Sequence, residues 1–175
     1  MNAVTMPATP RFTQRPMVVG DLDRVMAIEA QAYSFPWSRG HFTDSLAAGY
    51  LAQLRLAEWP GPRRADAESQ PIGYYVAMPG VDELHLLNLT VALAHQGRGH
   101  ARALLAHLAD AGRALRASQL WLEVRESNQR ARHLYERWGF EAVGQRKGYY
   151  PAPQGQREHA VVMRLDLTGA GHGLD

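Results

Sequence analysis

The sequence predicts a mixed α/β domain in which helices flank a central sheet. Three observations predict it. Strand-like and helix-like runs alternate in the order β-α-α-β-β-β-α-β-α-β-β. The run "LHLLNLTV" is apolar on both faces, as a covered central strand must be, and the chain closes on two adjacent strand-type runs.

Taken in order, "RPMVV" (15–19) reads as the first strand. Through "GDLDRVMAIEAQAY", Leu22, Val25, Met26, Ile28 and Ala32 recur at helical spacing. "FPWS" breaks that helix, and Ser38 is placed to cap a second one running through "GHFTDSLAAG". Residues 50–58, "YLAQLRLAE", alternate like a strand. Pro and Gly punctuate "WPGPRRADAESQP" (59–71), which has no period and reads as a long loop. "IGYYVAM" and "LHLLNLTV" follow as strands. Beyond "HQGRG", Ala101, Leu104, Leu105, Leu108, Gly112 and Leu115 mark one face of a third helix. "QLWLEV" is a strand. "SNQRARHLYERWG" is a helix with Ala131, Leu134, Tyr135 and Trp138 on one side and Gly139 as its stop. "FEAVGQRKGYY" and "EHAVVMRLDL" suit a closing antiparallel hairpin. The expected organisation is a loose arm at 1–14, one domain at 15–167 and a tail at 168–175.

A chain of 175 residues fits one domain with a substantial core. The absence of cysteine excludes a disulfide framework, a thiolate zinc site and a cysteine nucleophile. No apolar stretch approaches the roughly 20 residues of a membrane-spanning helix. The amino terminus has neither a basic n-region nor an apolar h-region, so export and a membrane partner are not expected and the chain reads as cytoplasmic. Net charge is only +2, with a pI near 9.1 and arginines scattered rather than blocked. Direct nucleic-acid binding is therefore not expected, and a mildly basic face suits a phosphate-rich cofactor equally well.

Two stretches carry the chemistry. In "HQGRGHAR", Gly97 and Gly99 let the backbone come close to a ligand, and a helix begins directly after them with unpaired amides and partial positive charge. This combination seats a phosphate, or else it is simply a tight strand-to-helix turn. Neither the P-loop nor the dinucleotide fingerprint fits, since Arg102 stands where the latter needs its third small residue. The reading left is a diphosphate ligand outside the standard nucleotide sites. In "LWLEVRESN", Glu123 lies in an apolar strand. It is either the ion-pair partner of Arg125 or another arginine, or a general base whose pKa burial raises above about 4.3. Tyr135, on an apolar helix face, is core packing or a functional hydroxyl.

"QGRGHA" resembles the Q/R-x-x-G-x-G/A signature of the GNAT N-acetyltransferase superfamily. "LWLEVRESNQRARHLYERWGF", "RKGYYP" and "AYSFPWS" are similar to its RimI-type ribosomal-protein-alanine N-acetyltransferases, over roughly residues 15 to 167. The resemblance implies a mostly antiparallel sheet flanked by helices, the acyl-CoA N-acyltransferase fold, with acetyl-CoA as cosubstrate and no metal. It implies that Leu89, Thr90 and Val91 pair with the pantetheine arm, that Gly97, Arg98, Gly99, His100, Ala101 and Arg102 hold the diphosphate, and that Asn128 touches the coenzyme near its thioester. By the same resemblance Glu123 accepts a proton and Tyr135 donates one. The implied acceptor is the α-amine of a protein amino terminus, alanine of a small-subunit ribosomal protein. Tyr33, Phe35, Trp37, Tyr149 and Tyr150 are candidates to line its groove, or else they are packing residues. Two departures stand out: "AL" at 92–93 where relatives often carry "DP", and the long 59–71 loop, which bears on access to the groove. A small-molecule amine as acceptor and a non-catalytic coenzyme-binding module are the alternatives.

Overall fold

The computed structural model describes residues 9–59 and 68–169. It contains strands β1 (Arg11–Pro16), β2 (Leu51–Trp59), β3 (Glu68–Pro79), β4 (Glu83–Val91), β5 (Gln119–Arg125), β6 (Glu141–Pro151) and β7 (Arg157–Asp166). The helices are α1 (Leu22–Ala32), α2 (Arg39–Ala47), α3 (His100–Ala114) and α4 (Gln129–Trp138). All strands join one sheet in the order β1-β2-β3-β4-β5-β7-β6. Every seam is antiparallel except β4–β5. The predicted mixed sheet and the central place of "LHLLNLTV" both hold. Among the described residues no helix is long and apolar enough to cross a membrane.

The helices divide between the two faces. Leu22, Val25 and Ile28 of α1 and Phe42 of α2 pack with Leu54, Leu56, Tyr74 and Val76. On the opposite face, Leu104, Leu105 and Leu108 of α3 and Tyr135 and Trp138 of α4 pack with Leu84, Leu86, Leu120 and Leu122. Each fully buried leucine contributes about 1.5–3 kcal/mol, so the two clusters hold the helices in place. Ser38 caps α2 as expected, its Oγ accepting from the His41 amide at 3.4 Å. Gly139 ends α4 in the left-handed region at φ 108°.

The central seam is incomplete, and this creates the site. β4 and β5 pair only from Glu83↔Gln119 to Leu86↔Leu122. On the other side of β4 the register slips, with Ala77 opposite Leu86 but Val76 opposite Asn88, so Leu87 is an extra residue. A bulge of this kind bends the strand and switches which side chains face which layer. Leu84 and Leu86 face α3, whereas Asn88 bonds Glu29 of α1. Beyond the bulge, Leu87–Val91 and Glu123–Arg125 part and leave a wedge.

Four expectations need correction. The first strand is 11–16 rather than 15–19: it is an edge strand with polar residues on both faces, while Val18 and Val19 stand 55% and 58% exposed beyond it. Residues 11–14 therefore belong to the sheet and not to a loose arm; residues 1–8 lie outside the described set. The 59–71 loop is shorter than read, because β3 already begins at Glu68, and 60–67 lie outside the described residues. Leu115 is 54% exposed, since α3 ends before it completes the apolar face. Of the tail, 170–175 lie outside the described residues.

Candidate active site

The wedge opens into two clefts. One, of about 540 Å³, runs along the start of α3 and is lined by Leu89, Thr90, Val91, Gln96, Gly97, Gly99, His100, Ala101 and Arg102 among others. The backbone there is what glycine permits: φ is 77° at Gly97 and 82° at Gly99, and no atom lies within 4 Å of the place a Gly99 side chain would occupy. Ala103 donates to the Gly99 carbonyl at 3.1 Å, so the amides ahead of it form the open end of the helix. Gln96 braces the turn, donating to the Val91 carbonyl at 3.0 Å and accepting from Arg130 at 2.7 Å. An anionic diphosphate suits this donor set. Of the six residues predicted for the turn, Arg98 alone is not part of the lining. The His100 ring turns under the turn, packing 4.5 Å from Phe12 and accepting from Arg55 Nε at 3.1 Å. Burial first, then the neighbouring Arg55 charge, pushes its pKa down and favours the neutral ring.

The second cleft, of about 950 Å³, lies between the Tyr33–Trp37 segment, the parted ends of β4 and β5, and the end of β6. Tyr33, Phe35, Trp37 and Tyr150 line it. Tyr149 does not: it is exposed outside the groove, against Arg146 and the Tyr150 ring. Tyr150 donates to the Glu123 carbonyl at 3.0 Å and stacks on Arg125, which also lies over Phe35.

Glu123 reaches this groove with its side chain 8% exposed, between His85 Nε2 at 2.8 Å and Arg146 Nη2 at 2.9 Å. Burial works to raise its pKa, but the His85 hydrogen bond and the His85 and Arg146 charges outweigh it, and the net shift is downward. The expected raised pKa is thus corrected: the carboxylate is buried and paired. Nor is Arg125 its partner, for Arg125 bonds Glu158 at 3.0 Å.

Tyr135 lines both clefts from α4, and burial, with Tyr33 and Tyr150 adding to it, pushes its pKa up. It therefore holds its proton at neutral pH. Asn128 also lines both clefts, while its Oδ1 caps α4 by accepting from the Ala131 amide at 3.1 Å.

Sequence reading missed three groups. His85 comes from the adjacent β4 and Arg146 from β6, across β7, and no local pattern points to them. Glu29 carried a signal, since it interrupts the apolar stripe of α1 beside Val25 and Ile28. It is 1% exposed and accepts from the Trp37 amide at 2.8 Å, from the Tyr74 hydroxyl and from Asn88 Nδ2 at 3.3 Å.

Comparison with known proteins agrees with this geometry. The acetyltransferase (GNAT) family model matches residues 22–140. The ribosomal protein bS18-alanine N-acetyltransferase of Haemophilus ducreyi is 38% identical over 151 residues, 86% of this chain and 97% of the relative. Its Haemophilus influenzae counterpart is 41% identical over 147 residues, 84% of this chain and 93% of the relative. The crystal structure of the ribosomal-protein-alanine N-acetyltransferase from Escherichia coli superposes with a TM-score of 0.77 at 33% identity, covering 94% of this chain and 99% of that one.

Proposed function

We propose, from the premise that this chain belongs to the acetyltransferase (GNAT) family, that it transfers an acetyl group from acetyl-CoA to the α-amine of a protein amino terminus, the alanine of ribosomal protein bS18. One observation carries the reading. The diphosphate cleft and the groove lined by carboxylates meet across shared residues, namely Ala32, Tyr33, Leu89, Asn128, Ala131 and Tyr135. A donor seated in one and an amine seated in the other come together at that junction.

Acetyl-CoA, when bound, supplies the acyl group as an activated thioester. The open amides from Gly97 to Arg102 hold its diphosphate, and Leu89–Val91, no longer paired to β5, align its pantetheine arm. The chain's own residues handle the protons. An α-ammonium with pKa around 7.7–8.0 is mostly charged at neutral pH and must lose a proton before it attacks. Once that proton is lost, ionised Glu123 accepts the second proton that the nitrogen releases as it bonds the acetyl carbon, directly or through a water. Tyr135, kept protonated by burial, donates to the departing sulfur. The groove is long and aromatic, with Phe35, Trp37 and Tyr150 along it, which suits an extended peptide better than a compact amine.

The test is acetylation of a peptide array with acetyl-CoA, beside spermidine and an aminoglycoside. Ala-initiated peptides, the bS18 amino terminus foremost, should turn over at least tenfold faster in kcat/KM than either small amine. Faster turnover of a small amine would overturn the peptide assignment.

A further inference from the structure

We propose that Glu29 is a positioning residue: through Asn88 and Thr90 it fixes the direction of the Tyr33 hydroxyl, so that the Tyr33 oxygen faces the groove as an acceptor for the incoming amine. The inference rests on the reading that an amine enters this groove.

Three neutral groups surround the Glu29 carboxylate, and among the described residues no cation pairs with it. Burying a carboxyl group costs desolvation, and leucine would fill the same helical stripe without that cost. The consequence of having the carboxyl group lies in direction. The Glu29 oxygens accept from the Trp37 amide and the Tyr74 hydroxyl, and Asn88 turns its Nδ2 to the same oxygens and its Oδ1 away. Asn88 Oδ1 receives the Thr90 hydroxyl proton at 2.8 Å. With that proton committed, the 3.0 Å contact between Thr90 Oγ1 and the Tyr33 hydroxyl can only run from tyrosine to threonine. The Leu89 carbonyl, 3.4 Å from the same hydroxyl, is a further acceptor beside Thr90. Tyr33 therefore commits its proton to β4 and keeps oxygen lone pairs for a donor.

That oxygen lies where it matters. Tyr33 lines both clefts, beside the parted strand ends and Tyr135. An amine N–H donated to it is held in place, leaving the nitrogen lone pair to point elsewhere. The Trp37 amide bond to Glu29 ties the groove segment to the same carboxylate.

Replacing Glu29 by glutamine keeps the shape but adds a donor, which lets Asn88 flip and frees the Tyr33 hydroxyl to turn. The experiment is a double-mutant cycle on the active full chain with an Ala-initiated peptide: wild type, E29Q, Y33F and the double variant, with acetyl-CoA affinity by calorimetry. T90V, which cuts the relay in the middle without touching Glu29, is carried alongside in case E29Q folds poorly. Each single change should lower kcat/KM about tenfold, mainly through peptide KM, with acetyl-CoA Kd within about twofold of wild type. E29Q or T90V should then cost nothing further in the Y33F background. Additive losses, or a lower Tm with unchanged kcat/KM, would overturn the relay while the acetyl-transfer reading stands. A wild-type chain that acetylates no amine would instead strike that reading first and the relay with it.

Discussion

Glu123 shows how neighbours decide the behaviour of a buried acid. Desolvation alone would raise its pKa; the His85 hydrogen bond and the Arg146 charge are among the causes that bring it down, so the group is ionised throughout the assay range. The pH dependence of kcat/KM should then follow the substrate. Between about pH 6 and 9 the rate should rise as the α-ammonium, with pKa around 7.7–8.0, gives up its proton. Glu123→Gln should lower the whole profile by about 100-fold without moving its inflection, the loss expected for removing a general base. An inflection that shifts in the variant would mean that Glu123 itself titrates there. Tyr135→Phe should reduce kcat by about 10- to 100-fold while leaving acetyl-CoA affinity intact, as read by stopped-flow and calorimetry. At this scale the sequence was half legible. A glutamate between Leu122 and Val124 announces itself, yet its partners arrive from β4, which pairs with β5, and from β6, which lies beyond β7, so only the assembled sheet brings them near.

At the scale of elements, the start of α3 and the bulge in β4 do most to shape the site. Gly99 takes a left-handed conformation that an L-residue reaches at a cost of about 1–2 kcal/mol. Gly99→Ala meets no protein atom, so the free protein should lose stability by about that amount and no more. The added methyl group instead enters the space proposed for the diphosphate, and acetyl-CoA Kd should rise by more than about tenfold in calorimetry. An unchanged Kd would place the diphosphate elsewhere. This turn was readable because its signal is local: two glycines, then a helical period. The β4 bulge was not, since "LHLLNLTV" has no glycine or break at Leu87, and only the partner register reveals it. β1 was misplaced for a similar reason. Its alternation is masked by exposure on both faces, and the apolar "MVV" after it looks more strand-like than the strand itself.

The whole molecule is two half-cores on opposite faces of one sheet, with a seam that pairs for only four residues along β4 and β5. Helical and strand periods made this layering legible, because burial repeats along each element. The opening of the seam was not legible, because it depends on two strands parting at residues that each look regular. A ligand lodged in that wedge bridges groups on both sides, Leu89–Val91 from β4 and Asn128 and Tyr135 from the chain after β5. It should therefore stabilise the fold as a unit. At a free acetyl-CoA concentration 100 times Kd, linkage gives about 2.7 kcal/mol. For a chain of this size that is a rise in Tm of about 5–11 °C, seen as one sharpened transition by differential scanning fluorimetry. Gly99→Ala should lose most of that rise at the same concentration, and Glu123→Gln should keep it, since Glu123 lines the groove and not the cleft at the head of α3. If both variants kept the full rise, the coenzyme would not be seated at the head of α3, and the junction of the two clefts would have no donor to serve.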